Sequence, residues 1–354
     1  MKRKVALILT ILMFGVIIAG CIGQQTPTAS TVTKEVTKTE TYTKTETAAK
    51  TVTETVTITE TVTPKKYPLT ITDDNGRKVT IEKEPQRIVS LAPSITETLF
   101  FIGAGDKLVG VTQWADYPPQ VEKITKVGGY GKYANIEIIA SLKPDLILAD
   151  SMSLSILDKL EEIAPVVIVN PTSIDDIYRK IELIGKIVNR ESEAKAVVEF
   201  MKAKVSEVQN RVKDRPKVKV FIYLSPGQSG IWTAGSGTFM DEAISLAGGE
   251  NTFHDVQGWK EVSIEDILAR NPDVIIMSSM GGYADPNTIC GTPLEKINAV
   301  KNGRVYVLTQ EEDNMLSRPG PRIVYGIESL AKYLHPESFN IQFMPFACKA
   351  EATG

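Results

Sequence analysis

The sequence is poor in the side chains on which enzymes and metal sites usually depend. Its 354 residues include only two histidines, His254 and His335. Two histidines exclude a metal site built from several imidazoles, and they leave few members for a Ser-His-Asp or Cys-His catalytic unit. No phosphate-binding Walker motif is present, and the glycine pairs at 103–105 and 235–237 are typical of turns. The sequence therefore offers no support for an enzyme, a cofactor or a resident metal ion.

An excess of charge of one sign is also missing. The chain carries 40 Lys and Arg against 43 Asp and Glu, which is a formal net charge of −3. A surface that attracts nucleic acid needs a strong basic excess, so this balance argues against a nucleic acid partner.

A hydrophobic run long enough to span a membrane comfortably is absent as well. Three basic residues at 2–4 precede a short apolar segment at 5–19, which fits the core of a signal peptide. Small residues then lead directly to Cys21, as at a lipobox, whose cysteine becomes the lipid-modified N-terminus. We expect a signal peptide at 1–20 and a lipid anchor at Cys21. The alternative is a plain signal peptide in which Cys21 is incidental.

Cysteine is scarce beyond that position, since only Cys290 and Cys348 remain. An even pair in an exported protein predicts a disulfide, here one that ties the C-terminal tail to the body. Two unpaired, buried thiols are the alternative.

Threonine, in contrast, occupies nearly every second position from 26 to 63. Alternation of this kind also occurs in strands, but the run is far longer than one strand. We interpret it as a solvated, extended stalk, open to O-glycosylation, that holds the folded part away from a membrane.

After the stalk, predicted strands and helices alternate. A hairpin is predicted around Asp-Asn-Gly at 74–76, and a helix is predicted from Ser94, with Ser94 and Glu97 as a capping box. Two α/β series follow, and a long amphipathic helix at 191–213 separates them. Such alternation predicts parallel-type sheets.

One helix-then-strand segment occurs twice. Residues 135–148 and 263–276 share Ile, Glu, Ile, Pro, Asp and Ile at matching positions, with the glutamate in the first turn of each helix. We interpret the repeat as a duplicated lobe; the alternative is the chance similarity that any βα repeat can show.

Aromatic residues are expected in loops near the ends of strands, rather than on apolar helix faces. Such loops border the binding crevice of α/β sheets, and flat apolar rings suit a bulky ligand. Packing beneath its own loop is the alternative for any one of them. The set comprises Trp114, Tyr117, Tyr130, Tyr133, Trp232 and Trp259. Arg318, in a Pro/Gly loop before the last predicted helix, is either a contact for a polar or acidic ligand edge or a surface charge.

Several motifs, in this order, resemble one family. They are RIVSLAPSITETLFFIGAGDKLVGV, DYPP, NIEIIASLKPDLILA, TAGSGTFMDEAISLAGGEN, EVSIEDILARNPDVII and RPGPRIVYGIESLAKYLHP. The family is the helical-backbone (class III) substrate-binding proteins of ABC importers, in the branch that carries cobalamin, ferric siderophores or haem. The resemblance covers roughly residues 67–336.

This resemblance implies an α/β fold of two Rossmann-like lobes with central parallel-type sheets, joined by one long backbone helix, with a ligand cleft between them. The expected division is a signal peptide at 1–20, a lipid-anchored stalk at 21–66, an N-terminal lobe at 67–190, a connecting helix at 191–215, a C-terminal lobe at 216–337 and a tail at 338–354.

The resemblance also assigns roles to single residues. Glu137 and Glu265 match the glutamates that dock to permease arginines, although each also favours its own helix through the dipole. Trp114, Tyr130 and Trp259 match aromatic ligand contacts, and Asp150 and Arg318 fall near further pocket positions. Tyr130 stands where some relatives have Trp. Asp150 replaces a position that is often aromatic, and the loop before Glu137 is one residue longer. These departures leave a siderophore or haem open as the ligand.

We therefore expect a monomeric, lipid-anchored receptor on the extracellular face of the cell membrane. It would capture a metal chelate, with cobalamin favoured over a ferric siderophore and haem, and deliver it to a permease dimer with a cytoplasmic ATPase. A stalked adhesion or sensor module is the alternative from another class.

Overall fold

The computed structural model describes residues 66–279 and 284–348, together with the backbone of two strands within 32–62. The predicted signal peptide and Cys21 lie outside the described residues. The chain divides into two compact units, Met1–Lys66 and Tyr67–Gly354. Within the described part, no helix combines the length and apolarity that crossing a membrane requires.

The N-terminal unit contains a pair of antiparallel strands, β1 (Val32–Glu40) and β2 (Glu54–Val62). The pairing runs from Val32 opposite Val62 to Glu40 opposite Glu54. The interpretation of this run as an extended stalk rather than as strands is corrected, for these two segments, by their pairing. Threonine and valine favour strands, and nine residues is an ordinary strand length.

The first lobe is built on a five-stranded parallel sheet with strand order β7-β6-β5-β8-β9. A separate hairpin, β3 (Leu69–Thr72) and β4 (Lys78–Ile81), precedes it. The sheet strands are β5 (Ile88–Ser90), β6 (Leu108–Val111), β7 (Thr125–Lys126), β8 (Leu146–Ala149) and β9 (Val166–Ile168). The helices are α1 (Pro93–Phe101), α2 (Ile136–Ser141), α3 (Leu157–Glu161) and α4 (Ile174–Ile187). Every residue of β5, β8 and β9 is buried, as expected for strands covered on both faces.

A long helix, α5 (Glu191–Val212), connects the two lobes in sequence. Its buried residues lie three or four positions apart, and they form one apolar stripe: Ala194, Val198, Met201, Val205, Val208 and Val212. Helix α5 packs against α4 and against the last helix of the second lobe.

The second lobe contains a four-stranded parallel sheet with strand order β13-β10-β15-β16, and a separate three-stranded antiparallel sheet with order β11-β12-β14. The strands are β10 (Val218–Tyr223), β11 (Ser225–Pro226), β12 (Ile231–Ala234), β13 (Gly249–Asn251), β14 (Trp259–Val262), β15 (Val274–Met277) and β16 (Val305–Val307). The helices are α6 (Phe239–Leu246), α7 (Ile264–Arg270), α8 (Asn298–Lys301), α9 (Gln310–Ser317) and α10 (Ile323–Leu334). The predicted α/β fold with parallel sheets is confirmed.

The C-terminal tail lies against the second lobe. Phe343 stacks on Tyr333 with ring centroids 4.8 Å apart, and the Phe346 N–H donates to the Gly303 carbonyl at 2.9 Å. Cys290 and Cys348 are joined by a disulfide, with a Cα–Cα distance of 5.5 Å. The tail is therefore held by packing, a hydrogen bond and a covalent link.

Candidate functional site

The candidate site comprises residues of the first lobe that follow strands of its parallel sheet, which is where α/β sheets bind ligands, together with a residue of the second lobe that contacts them. In the first lobe, Trp114 and Asp116 follow β6, and Asp150 follows β8. In the second lobe, Arg318 lies between α9 and α10 and contacts the first lobe directly. We call the residues of this contact between the lobes the cleft floor.

Arg318 is bound by acceptors of the opposite lobe. Its Nη1 donates to Glu97 Oε1 at 2.8 Å and to Asp116 Oδ1 at 2.6 Å. Its Nη2 donates to the Trp114 carbonyl at 3.1 Å and to Asp116 Oδ2 at 3.3 Å. The side chain is only 12% exposed, so the arginine is a buried link between the lobes rather than a surface charge.

A second arginine lies beneath the first. Arg322 Nε is 3.4 Å from Glu97 Oε2, and its guanidinium lies 4.1 Å from the centre of the Tyr117 ring. Tyr117 in turn stacks on Phe101, with ring centroids 6.2 Å apart. Tyr117 therefore contributes to the cleft floor by packing on a cation as well as on an aromatic ring.

Glu97 corrects a prediction from the sequence. Helix α1 begins at Pro93, no side chain caps its N-terminus, and Glu97 is 1% exposed beside the two arginines. The capping box of Ser94 and Glu97 is therefore wrong. The partners of Glu97 lie more than two hundred residues later in the chain, where a local pattern cannot reveal them.

The two acids of this cluster differ in their electrostatics. Burial raises the pKa of the Glu97 carboxyl, against the opposing attraction of Arg322 and Arg318. Burial would also raise the pKa of Asp116, but the hydrogen bond and charge of Arg318 outweigh it and hold that pKa below its ordinary value. Asp116 is therefore the firmly ionised partner of Arg318.

Trp114 and Tyr130 of the first lobe lie beside this cluster, and we call these two side chains its aromatic rim. Trp114 is 52% exposed, and burial raises the pKa of the neighbouring half-buried Tyr130 to about 12. A Cβ on Gly131, whose φ is +52°, would lie 2.4 Å from the Met152 carbonyl, so the loop that carries Tyr130 packs closely on the segment after β8. The structure thus brings together residues from two separate loops. Met152, at 58% exposed, was not predicted as a site residue, because aromatic side chains rather than methionine were selected from the sequence.

Asp150 has a local structural role in this rim. Its Oδ1 accepts from the Met152 N–H at 3.2 Å and from the Ser153 hydroxyl at 3.4 Å, which caps the turn Ser151–Ile156. Burial raises the pKa of this carboxyl. Asp150 therefore positions the segment that carries Met152.

The second lobe presents two indoles on one sheet face. Trp232 lies in β12 and Trp259 begins β14, so the prediction that both lie in loops is wrong. Trp232 is paired with Glu261, and Trp259 lies two residues before Glu261, so all three share a face. Trp232 is 39% exposed and Trp259 is 43% exposed, and Trp259 packs edge-on against Phe239 at 5.7 Å. Sequence reasoning missed this small sheet because its strands are short and are flanked by glycine-containing turns.

Glu137 and Glu265 lie in the first turns of α2 and α7 and are exposed. The predicted N-caps are confirmed: Asn135 Oδ1 accepts from the Ile138 N–H at 3.0 Å, and Ser263 Oγ accepts from the Asp266 N–H at 3.1 Å. The two glutamates have the same local setting in each lobe.

A resident metal finds little support in residues 66–279 and 284–348. The group there with suitable ligand atoms is Cys290, Glu295 and Cys348, and the disulfide occupies both sulfurs.

The sequence matches one family model and is similar to a substrate-binding lipoprotein. The family model described as "Periplasmic binding protein" matches residues 88–312. An uncharacterized ABC transporter substrate-binding lipoprotein of Bacillus subtilis is 37% identical over 282 residues, covering 77% of this chain and 87% of the relative.

Two solved structures are similar over the described region. A possible iron-binding protein from Staphylococcus epidermidis has 36% identity and a TM-score of 0.63, covering 72% of this chain and 100% of that chain. The periplasmic vitamin B12-binding protein of Vibrio cholerae has 29% identity and a TM-score of 0.60, covering 72% of this chain and 98% of that chain.

Proposed function

Because this chain belongs to the periplasmic binding protein family, as a substrate-binding protein of an ABC transporter, we propose that it captures a corrinoid such as cobalamin. The observation that carries the proposal is the pair of aromatic surfaces. Trp114 is exposed on one lobe, and Trp232 and Trp259 share a face on the other. A corrin is a broad ring system with apolar faces, so it suits a cleft lined by indoles. The vitamin B12-binding relative of Vibrio cholerae supports this ligand class.

A ferric chelate is the second candidate. The similarity to a possible iron-binding protein of Staphylococcus epidermidis favours it. A ferric siderophore would use the same aromatic rim but would need polar contacts for its iron-binding groups. Haem is a third candidate, because its ring system is flat like that of a corrin.

We further propose that the protein works as a monomer on the extracellular face of the membrane. Cleavage after residue 20 and lipidation of Cys21 would anchor it, and Glu137 and Glu265 would dock to arginines of a permease dimer whose ATPase is cytoplasmic. Both glutamates are exposed, and neither side chain makes a hydrogen bond or ion pair with any residue that the structure describes. A pair of carboxylates, one on each lobe, suits a dimeric partner with paired basic surfaces.

The test is a titration of the purified protein with cyanocobalamin, ferric siderophores and haemin, followed by tryptophan fluorescence. We expect saturable quenching by cyanocobalamin, because its corrin would lie against exposed indoles. Tighter binding of a siderophore or haemin would favour the alternative ligands. No response to any chelate would contradict the proposed function.

A further inference from the structure

Arg318 and Asp116 form the pair of parallel contacts by which arginine recognises a carboxylate. Nη1 meets Oδ1 at 2.6 Å, and Nη2 meets Oδ2 at 3.3 Å. A guanidinium offers this planar fork to ligand carboxylates as readily as to side chains. In this protein, a carboxylate of the chain itself fills the fork.

The other donors of the two terminal nitrogens are also engaged. Nη1 additionally reaches Glu97, and Nη2 additionally reaches the Trp114 carbonyl. The described residues supply a hydrogen-bond acceptor to both terminal nitrogens, and none to Nε. An incoming carboxylate therefore has to displace an acceptor before it can make a bidentate contact.

Asp116 is the acceptor that a ligand would meet. Its side chain is 41% exposed, whereas that of Glu97 is 1% exposed and closed off beneath it. The Asn314 amide donates to Asp116 Oδ2 at 2.8 Å and helps to hold the carboxylate in place. Asp116 is thus a fixed, accessible negative charge at the junction of the lobes, and it repels a ligand carboxylate as well as competing with it.

We propose that Asp116 sets the charge selectivity of the cleft by keeping the fork of Arg318 occupied. The cleft then favours chelates that present amides and hydroxyls, as a corrinoid does, over chelates that present carboxylates, as haem and ferric citrate do. The proposal rests on the proposed function in that it takes the cleft as the ligand site.

The test compares Asp116→Asn with wild type, with citrate alone as the probe, at constant ionic strength. Asparagine keeps the shape and the hydrogen bond to Asn314 but removes the charge. Because the Trp114 carbonyl bonds to Arg318, fluorescence of the nearby indole reports on the site. We expect citrate to bind the variant about tenfold more tightly or better.

Two further variants separate this role from general effects. Asp106→Asn removes an exposed negative charge of the same lobe that contacts neither arginine, and it should leave citrate binding unchanged. Asp116→Asn combined with Arg318→Lys keeps a cation for Glu97 but removes the planar fork, and it should abolish most of the gain.

The outcomes are distinct from those of the ligand titration. If Asp116→Asn gains no affinity for citrate, or if wild type already binds citrate as tightly, the selectivity role is wrong even where cyanocobalamin binds. If citrate binding follows Asp116 and Arg318 as expected but no chelate binds wild type, the selectivity role stands and the proposed function fails.

Discussion

The two lobes share a repeated segment, and most of its identities have a structural reason. In both copies a residue with positive φ follows the helix, Lys143 at +47° and Asn271 at +48°, and it stands directly before Pro-Asp. The Asp145 N–H then donates to the Arg87 carbonyl at 2.8 Å, and the Asp273 N–H donates to the Lys219 carbonyl at 2.9 Å. In each lobe this contact joins the repeat to the first strand of the parallel sheet.

The apolar identities are explained by the core. Ile139 and Ile147 in the first lobe, and Ile267 and Ile275 in the second, have no exposed surface. Of the six identical residues, only the glutamates have no packing partner or turn to explain them. The comparison teaches that both copies of the repeat keep the same scaffold and one exposed glutamate. The elements that carry the exposed aromatic side chains differ, because they are loops in the first lobe and an added antiparallel sheet in the second.

The largest loss of stability is expected from substitutions that create a cavity in each parallel sheet. Ile147→Ala and Ile275→Ala should each lower the free energy of unfolding by about 2–5 kcal/mol, because both side chains are fully buried in central strands. Urea denaturation measures the loss, with Ile→Val at the same positions as the milder control. Losses that differ by more than about 2 kcal/mol would break the equivalence of the two sheets.

The Pro-Asp turns should differ by a smaller amount. Asp145 accepts from the N–H groups of Gln86 and Arg87 at 2.9–3.1 Å, whereas Asp273 accepts from one backbone N–H, that of Lys219 at 3.4 Å, and from the Asn298 side-chain amide at 3.0 Å. We expect Asp145→Ala to cost about 1–2 kcal/mol and Asp273→Ala about half as much. Asp→Asn at each position keeps one acceptor and should recover part of the loss in urea denaturation. An equal cost at both positions would show that the turns are more alike than their distances indicate.

The strength of the contact between Asp116 and Arg318, which joins the two lobes, should depend on pH in the acid range. Since the pKa of Asp116 is lowered in the folded state, its contribution is present above the ordinary value of 3.8 and is lost as the pH falls through the folded value. The pair is partly exposed, so this contribution should be below about 1 kcal/mol. The stability difference between wild type and Asp116→Asn should therefore disappear only in strong acid. A difference that vanishes near neutral pH would contradict the assigned ion pair.

The smallest effect on stability is expected from the exposed glutamates. Glu137→Ala with Glu265→Ala should cost only a few tenths of a kcal/mol per site through the helix dipole. If the glutamates dock to a permease, uptake of cobalamin by cells should nevertheless fall by about tenfold or more, while binding by the purified protein is unchanged. Glu162→Ala with Glu250→Ala, a pair of exposed acids from the same two lobes, provides the control. Unchanged uptake in the docking variant would remove that role.

Elements with strong periodicity were predictable from the sequence. The strands Leu108–Val111, Leu146–Ala149 and Val274–Met277 coincide with continuous apolar runs in the sequence, and runs of that length are typical of buried parallel strands. The sheet that carries Trp232 and Trp259 was not predictable, because short strands become stable only when a neighbouring strand supplies the hydrogen bonds.

Long-range polar contacts were equally hidden. His335 follows the last helix, where the local sequence does not indicate burial, yet it is 2% exposed and its Nε2 lies 3.2 Å from the Gly248 carbonyl. Asp116 lies in the DYPP motif, but only its neighbour Tyr117 was predicted as a site residue, because an aromatic ring indicates a ligand contact more directly than a single acid does.

By itself, the sequence determined the α/β class, the long connecting helix and the repeated scaffold, since these depend on periodic burial and local capping. The tertiary structure alone decided that Arg318 is bound to Asp116 and Glu97 across the cleft. These charged residues lie far apart in the chain. The energy of their interaction depends on their burial and on the distance between them, and the local sequence predicts neither quantity.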